Sequence, residues 1–179
     1  KKLHVIGIFI DLSKAFDTID HDIMIDKLRN YGIRGNALQL LKSYMSNRKQ
    51  YVNALGEESD LANVMYGVPQ VSVLGPLLFL IYINDLPNCC NNTMFILFAD
   101  DTNIFVVADT KNKCIERANI ILDRVQQYNY MKSNKLHINS KKSCFMHFSP
   151  HRRPTIDNSL GQPVVIDGKE IREVDETKF

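Results

Sequence analysis

Two adjacent acids, Asp100 and Asp101, sit between the apolar runs Met94–Ala99 and Ile104–Ala108. Ionised carboxylates are almost never buried without a partner, because desolvating one is costly. A fold that puts them there must bring them something positive, and a divalent cation satisfies both at once. The flanks Thr93–Phe98 and Thr102–Val107 are rich in β-branched and aromatic residues, which predicts two strands with the acids at the connecting turn. A third acid has the same setting, since Leu3–Ile10 reads as a buried strand that runs straight into Asp11. Asp11 and Asp100 are 89 positions apart (100 − 11), so neighbouring strands of one sheet are needed to join them. Oxygen-only ligands from a few carboxylates, completed by substrate phosphates and water, suit Mg²⁺. Two such ions about 3.5–4 Å apart can stabilise both the attacking and the leaving oxygen of a phosphoryl displacement.

The remaining pattern predicts an α+β fold, a small antiparallel sheet with helices packed on one face. Apolar spacing predicts helices over Asp22–Tyr31, Asn36–Met45, Leu77–Leu86 and Lys113–Ser133. A β-hairpin is expected from Lys49–Leu55 and Leu61–Tyr66 around Gly56-Glu57-Glu58, and further strands over Ser143–Phe148, Val164–Asp167 and Glu170–Val174, the last two turning at Gly168. Pro150–Pro154 reads as a loop. A chain of 179 residues, 45% hydrophobic and 23% charged, fits one globular domain with a core. The net charge of +2 does not mark a nucleic-acid binder by itself. Cys89, Cys90, Cys114 and Cys144 lack both CxxC spacing and a paired His motif, which argues against zinc and a disulfide framework and for a reducing compartment. Asn91-Asn92-Thr93 is a short sequon without a secretory signal before it. The apolar run Val73–Ile83 contains Gly75 and Pro76 and falls short of the roughly 20 residues that cross a bilayer, so no membrane partner is expected. The absence of an initiator Met and the abrupt last residues read as an excerpt of a longer protein.

Four ordered blocks carry a resemblance: Asp11-Leu12-Ser13-Lys14-Ala15-Phe16-Asp17, Gly67-Val68-Pro69-Gln70, Leu74-Gly75-Pro76-Leu77 and Phe98-Ala99-Asp100-Asp101. Together they resemble a reverse transcriptase. Ala15-Phe16-Asp17-Thr18-Ile19-Asp20-His21 and Phe79-Leu80-Ile81-Tyr82-Ile83-Asn84-Asp85-Leu86 are most similar to polymerases of non-LTR (LINE-like) retrotransposons of the jockey type. The resemblance implies that residues 1–179 are the palm region of a right-hand polymerase, with fingers before residue 1 and a thumb after residue 179. It implies Asp11 and Asp100 as the main metal ligands, Asp101 as the supporting acid, and two Mg²⁺ ions, for which Mn²⁺ can substitute. Phe16 matches the aromatic that occupies the space of a ribonucleotide 2′-hydroxyl. Backbone amides near Ala15 and Phe16 would cradle the triphosphate, Gln70 would contact the nascent base pair, and Lys142 would protonate the leaving pyrophosphate, with Lys141 as its substitute. The implied partners are an RNA template, a DNA primer, dNTPs and the rest of a parent polyprotein with an upstream endonuclease. The implied localisation is a cytoplasmic ribonucleoprotein that also works in the nucleus.

Taken without the resemblance, the residues leave other readings open. The Asp pair can be a solvated turn, Asp11 a helix N-cap, Phe16 core packing, Gln70 a cap of Ser72–Gly75, and Lys141 with Lys142 a solvated face. Asp17 and Asp20 read as caps or surface acids, and His4, His21, His137, His147 and His151 as structural or surface residues. At the level of the whole chain the alternatives are a group II intron-type reverse transcriptase and an inactive, nucleic-acid-binding relic. Phe16 argues against a viral RNA polymerase. The relic reading rests on Val71, where the family pattern after Pro69-Gln70 has glycine. A β-branched side chain is poorly tolerated where glycine allows close backbone approach or a positive φ. Restoring it, Val71→Gly, is therefore expected to raise primer extension sharply; equal extension by both forms would rule out decay at this position.

Overall fold

The structure, a computed structural model, describes residues 3–69, 72–126, 130–150 and 162–175. Contacts divide the chain into two compact units, Lys1–Ser13 with Asn84–Phe179, and Lys14–Ile83.

The first unit is built on a mixed five-stranded sheet. β1 (His4–Ile10) pairs antiparallel with β7 (Asp101–Ala108) from His4↔Ala108 to Ile10↔Thr102, and β6 (Met94–Phe98) pairs with β7 on its far side. β8 (Cys144–Phe148) lies antiparallel along the other edge of β1, from Val5↔Phe148 to Phe9↔Cys144. Strand alternation sends Ile6, Ile8 and Ile10 of β1 and Thr102, Ile104, Val106 and Ala108 of β7 to one buried face. Helix α4 (Lys111–Gln126) packs on β1 and β7 and buries Cys114, Ile115, Ala118, Leu122 and Val125, a helical stripe that matches the strand stripe. Fully burying one such Leu or Ile contributes roughly 1.5–3 kcal/mol. On the opposite face Phe9, Phe105 and Phe148 close over Gly7, where an added Cβ would meet their rings at 3.1–3.3 Å. Gly7 therefore sits where no other residue fits without moving an aromatic ring.

The sheet departs from the expected all-antiparallel form. After β8 comes a tight hairpin, β9 (Val165–Ile166) and β10 (Lys169–Glu170), turning at Gly168 with φ +69°. Because the hairpin has already reversed the chain, β11 (Arg172–Glu173) joins β8 in parallel. Asn119 of α4 fixes β9 by two bonds, its amide donating to the Pro163 carbonyl and its oxygen accepting from the Val165 N–H, each at 2.9 Å. Within the expected helix Lys113–Ser133 the described residues form α4 and α5 (Tyr130–Ser133), with 127–129 between them outside the described residues. Tyr130 of α5 donates to Asp85 at 2.6 Å. The Pro150–Pro154 loop lies largely outside the described residues. All four thiols are free, and burial with the neighbouring Cys90 pushes the Cys89 thiol up to about 12.

The second unit is mainly helical. Asp20 caps α1 (His21–Asn30) by accepting from the Asp22 and Ile23 amides at 3.0 and 3.1 Å. After α2 (Gly35–Met45) comes an exposed arm, in which β2 (Lys49–Gln50) pairs with β5 (Ala62–Asn63) and β3 (Asn53–Ala54) with β4 (Glu57–Glu58). The pairing is shorter than the sequence predicts. Helix α3 (Leu74–Ile83) starts three residues before the expected Leu77, because the Ser72 hydroxyl accepts from the Gly75 amide at 3.0 Å while donating to the Pro69 carbonyl at 2.6 Å. Pro76 then stands in the first turn, where its missing N–H has no intrahelical partner to lose. The helix stops at Ile83, and Leu86–Cys89 forms a separate 3₁₀ turn. Among the described residues no helix is long and apolar enough to cross a membrane.

At the end of the sheet remote from Asp11, His4 Nδ1 and His147 Nε2 are 2.9 Å apart, and Lys111 binds Glu173 at 2.8 Å beside them. Burial holds the His147 imidazole below its ordinary range, reinforced by Lys111 and His4 and opposed by Glu173. The unfolded chain then takes up the proton more readily than the folded one. Stability contributed by His147 is fully present above the ordinary imidazole value of about 6.5 and is lost as pH falls through the lower folded value. Urea denaturation of wild type and His147→Phe at neutral and mildly acidic pH should therefore show the smaller acid loss in the variant.

Candidate active site

The β6–β7 connection determines how the acidic pair is presented. Phe98 pairs with Asp101, leaving Ala99 and Asp100 as a two-residue turn, and Ala99 takes a left-handed φ of 50°. A side chain in that region costs about 1–2 kcal/mol, and such strain concentrates where geometry serves function. The turn exposes Asp100, while Asp101, opening β7, is partly buried. The β1–β7 ladder ends at Ile10↔Thr102, and one step further in that register (10 + 1 and 102 − 1) Asp11 comes opposite Asp101. The carboxylates feel one another. Burial raises the Asp101 carboxyl above its ordinary range, with the Asp100 and Asp11 charges adding to the shift. The structure thus brings together the three acids that the sequence singled out.

Asp11 is held by its backbone. Its N–H donates to the hydroxyl of buried Ser143 at 3.1 Å, and its carbonyl accepts from the Asn139 amide at 2.8 Å. Ser143 in turn donates to the Asn139 carbonyl at 2.9 Å. The segment after α5 therefore grips the strand end, helped by the Leu12↔Ile138 bridge and the Ser13 amide on the His137 carbonyl at 2.8 Å. This grip places the Lys142 Nζ 3.9 Å from Asp11 Oδ2. Lys141 is exposed, with its amide on Asn139 Oδ1 at 3.2 Å. No local signal in the sequence marks Ser143 or Asn139, since their parts depend on a ladder that ends at Cys144. Beside the acids, on the sheet face away from α4, Ile96, Phe98, Asp101, Asn103 and Phe105 line an open cavity of about 360 Å³.

In the second unit, a 3₁₀ turn over Ala15–Asp17 follows Lys14, whose φ is 49°. The Asp17 and Thr18 amides donate to the Lys14 carbonyl at 2.9 and 3.2 Å, so the turn's first amides, of Ala15 and Phe16, have no partner within it. Ala15 is buried, and the partly buried Phe16 ring rests on Phe79 with centroids 4.8 Å apart. Gln70 and Val71 lie outside the described residues.

The donor set at the acids is all oxygen, which fits a hard divalent cation. Among the described residues no group of three or more His, Cys, Asp or Glu side chains is placed so that it could hold a metal ion. An ion bound here would complete its shell from water and substrate oxygens, the usual habit of Mg²⁺.

The family model described as reverse transcriptase (RNA-dependent DNA polymerase) matches residues 1–179. The chain belongs to the reverse transcriptase family. It is 33% identical over 135 residues to the RNA-directed DNA polymerase from mobile element jockey of Drosophila funebris, covering 72% of this chain and 14% of that protein. It is also 33% identical over 156 residues to the probable RNA-directed DNA polymerase from transposon X-element of Drosophila melanogaster, covering 82% and 16%. The chain thus spans about a sixth or less of these curated relatives. Among solved structures it is similar to telomerase from Candida albicans, with a TM-score of 0.59 at 14% identity over 81% of this chain and 27% of that one. Telomerase from Candida Tropicalis gives 0.60 at 10% identity over 82% and 26%. These likenesses establish the α+β palm-like fold, and reverse transcriptases as a family use divalent metal ions.

A raised Asp101 carboxyl means that its charge works against folding once pH passes through the folded value; the protonated form has no such cost. Asp101→Asn is therefore expected to raise the thermal midpoint of the metal-free protein at neutral pH. Added Mg²⁺ or Mn²⁺ should raise the wild-type midpoint more than that of the variant, as differential scanning fluorimetry can check.

Proposed function

We propose that this chain is the palm region of a non-LTR retrotransposon polymerase that extends a DNA primer on an RNA template. The observation that carries this reading is the convergence of Asp11 with Asp100 and Asp101 at one sheet end of a reverse transcriptase family member. In the reaction the primer 3′-oxygen bonds to the α-phosphorus of a dNTP as the bond to the pyrophosphate oxygen breaks. Two Mg²⁺ ions, with Mn²⁺ as a substitute, would lower the proton affinity of the 3′-hydroxyl and neutralise the charge that gathers on the phosphate oxygens. Asp11, Asp100 and Asp101 would hold these ions together with water and substrate oxygens.

The chain's other residues take positioning and proton-transfer roles. Lys142, already beside Asp11, delivers a proton to the departing pyrophosphate. The amides of Ala15 and Phe16 bind the triphosphate, the Phe16 ring excludes a 2′-hydroxyl, and Gln70 meets the nascent base pair. The apolar open face around Phe98 and Phe105 offers flat surface to sugar and base. The rest of the parent polypeptide, with an upstream endonuclease, adds its grip on nucleic acid, and the particle works as a ribonucleoprotein in cytoplasm and nucleus.

The test is dNTP incorporation on a primed RNA template by the intact polypeptide that carries this sequence. Asp100→Asn is expected to lower the divalent-dependent rate by more than about 100-fold, since even outer-shell changes at metal sites cost 10–100-fold. Template binding without incorporation by the folded wild type would instead favour an inactive relic.

A further inference from the structure

We infer that His21 is a specificity-determining positioning residue that sets the sugar discrimination of Phe16 through a single peptide plane. The inference rests on the reading of Phe16 as the group that excludes a 2′-hydroxyl. His21 opens α1, whose first turn is fixed by the Asp20 cap, and Asp20 is itself buried with its amide 3.4 Å from the Tyr82 hydroxyl. The imidazole Nε2 lies 2.8 Å from the Gly67 carbonyl oxygen. A carbonyl only accepts, so Nε2 is the protonated nitrogen in this contact.

The Gly67 carbonyl and the Val68 N–H are two ends of one planar, trans peptide group. The Val68 N–H donates to the Phe16 carbonyl at 2.9 Å. His21 thus holds one end of the plane and Phe16 is bonded to the other. The approach is close: the Gly67 amide donates to the Ile19 carbonyl at 2.7 Å, and a Cβ on Gly67, whose φ is +82°, would stand 2.9 Å from both Asp17 Cα and the Phe16 oxygen. With Phe79 against its ring, Phe16 is held at ring and backbone. Removing the imidazole frees the plane to pivot and the Phe16 carbonyl with it, which loosens a ring whose selectivity depends on exact position.

A merely structural His21 would alter stability and overall rate but not the choice between sugars. The experiment measures kcat/KM for single insertions of dNTP and the matching rNTP on a primed RNA template, using the intact polypeptide. Wild type is compared with Phe16→Ala, His21→Ala, His21→Phe and His21→Gln, and thermal denaturation of each verifies folding. Loss of one hydrogen bond predicts that His21→Ala and His21→Phe lower dNTP-over-rNTP discrimination about threefold to tenfold. His21→Gln, whose amide can donate from nearly the same place, should recover most of it. Discrimination that falls with Phe16→Ala but is kept by both donor-free His21 variants overturns the inference alone, as does failure of both to fold, which assigns His21 to stability. Discrimination unchanged by Phe16→Ala overturns the reading of Phe16 and the inference with it.

Discussion

The pairing register of β1 with β7 is the constraint on which the candidate site depends, and apolar packing sets it. Ile6, Ile8 and Ile10 must share a face with Ile104 and Val106 against α4. A slip of one residue would turn each of these outward, because side chains alternate along a strand. Several buried side chains at roughly 1.5–3 kcal/mol each outweigh the repulsion among three acids near water. The core thus forces Asp11 towards Asp101, although their charges oppose it. Burial raises the Asp101 carboxyl first of all, and the Asp100 and Asp11 charges add to that rise. Stability is thus yielded locally where the acids gather, and strained sites commonly trade stability for function in this way.

The surrounding contacts limit how this unfavourable cluster can relax. Bonds from Ser143 and Asn139 to both backbone groups of Asp11 keep the strand end from rotating away. The same segment carries Lys142, so one loop fixes the acid and supplies a cation beside it. That pair is open to water, where ion pairs contribute little, so its value lies in placement. Ala99 serves the same end from the other side, holding a left-handed turn that delivers Asp100 next to Asp101.

What the sequence revealed follows the range of the forces involved. Strand alternation and helical stripes are local, and they foretold β1, β6, β7, α1, α2 and most of α4. The acids were legible because carboxylates that end apolar strands need a positive ligand, and three of them at compatible strand ends point to one site. Elements decided by distant partners were not legible. The parallel docking of β11 depends on the β9–β10 hairpin, the early start of α3 on the Ser72 hydroxyl, and the short pairing of the Lys49–Asn63 arm goes with side chains that stay exposed. The contact of Ser143 was missed for the same reason, and so was the backbone group that His21, read as structural or surface, would meet. A serine and a histidine acquire a role only through the backbone group they meet, at Asp11 and at Gly67, and neither meeting is written in local spacing.

Both positioning contacts use side chains to fix backbone rather than other side chains. This has a physical advantage wherever a side chain must be placed accurately, because a peptide plane is joined by one soft dihedral on each side, whereas a long side chain has several. Fixing the Asp11 peptide leaves its carboxylate one short, stiff side chain away from a held point, and fixing the Gly67–Val68 plane does the same for Phe16 through its carbonyl. Acids and aromatics at short reach from anchored backbone lose little freedom when substrate arrives, which reduces the ordering that binding must otherwise impose. Substitutions at such anchors should then act on precision, seen in selectivity and metal requirement, before they act on whether the chain folds.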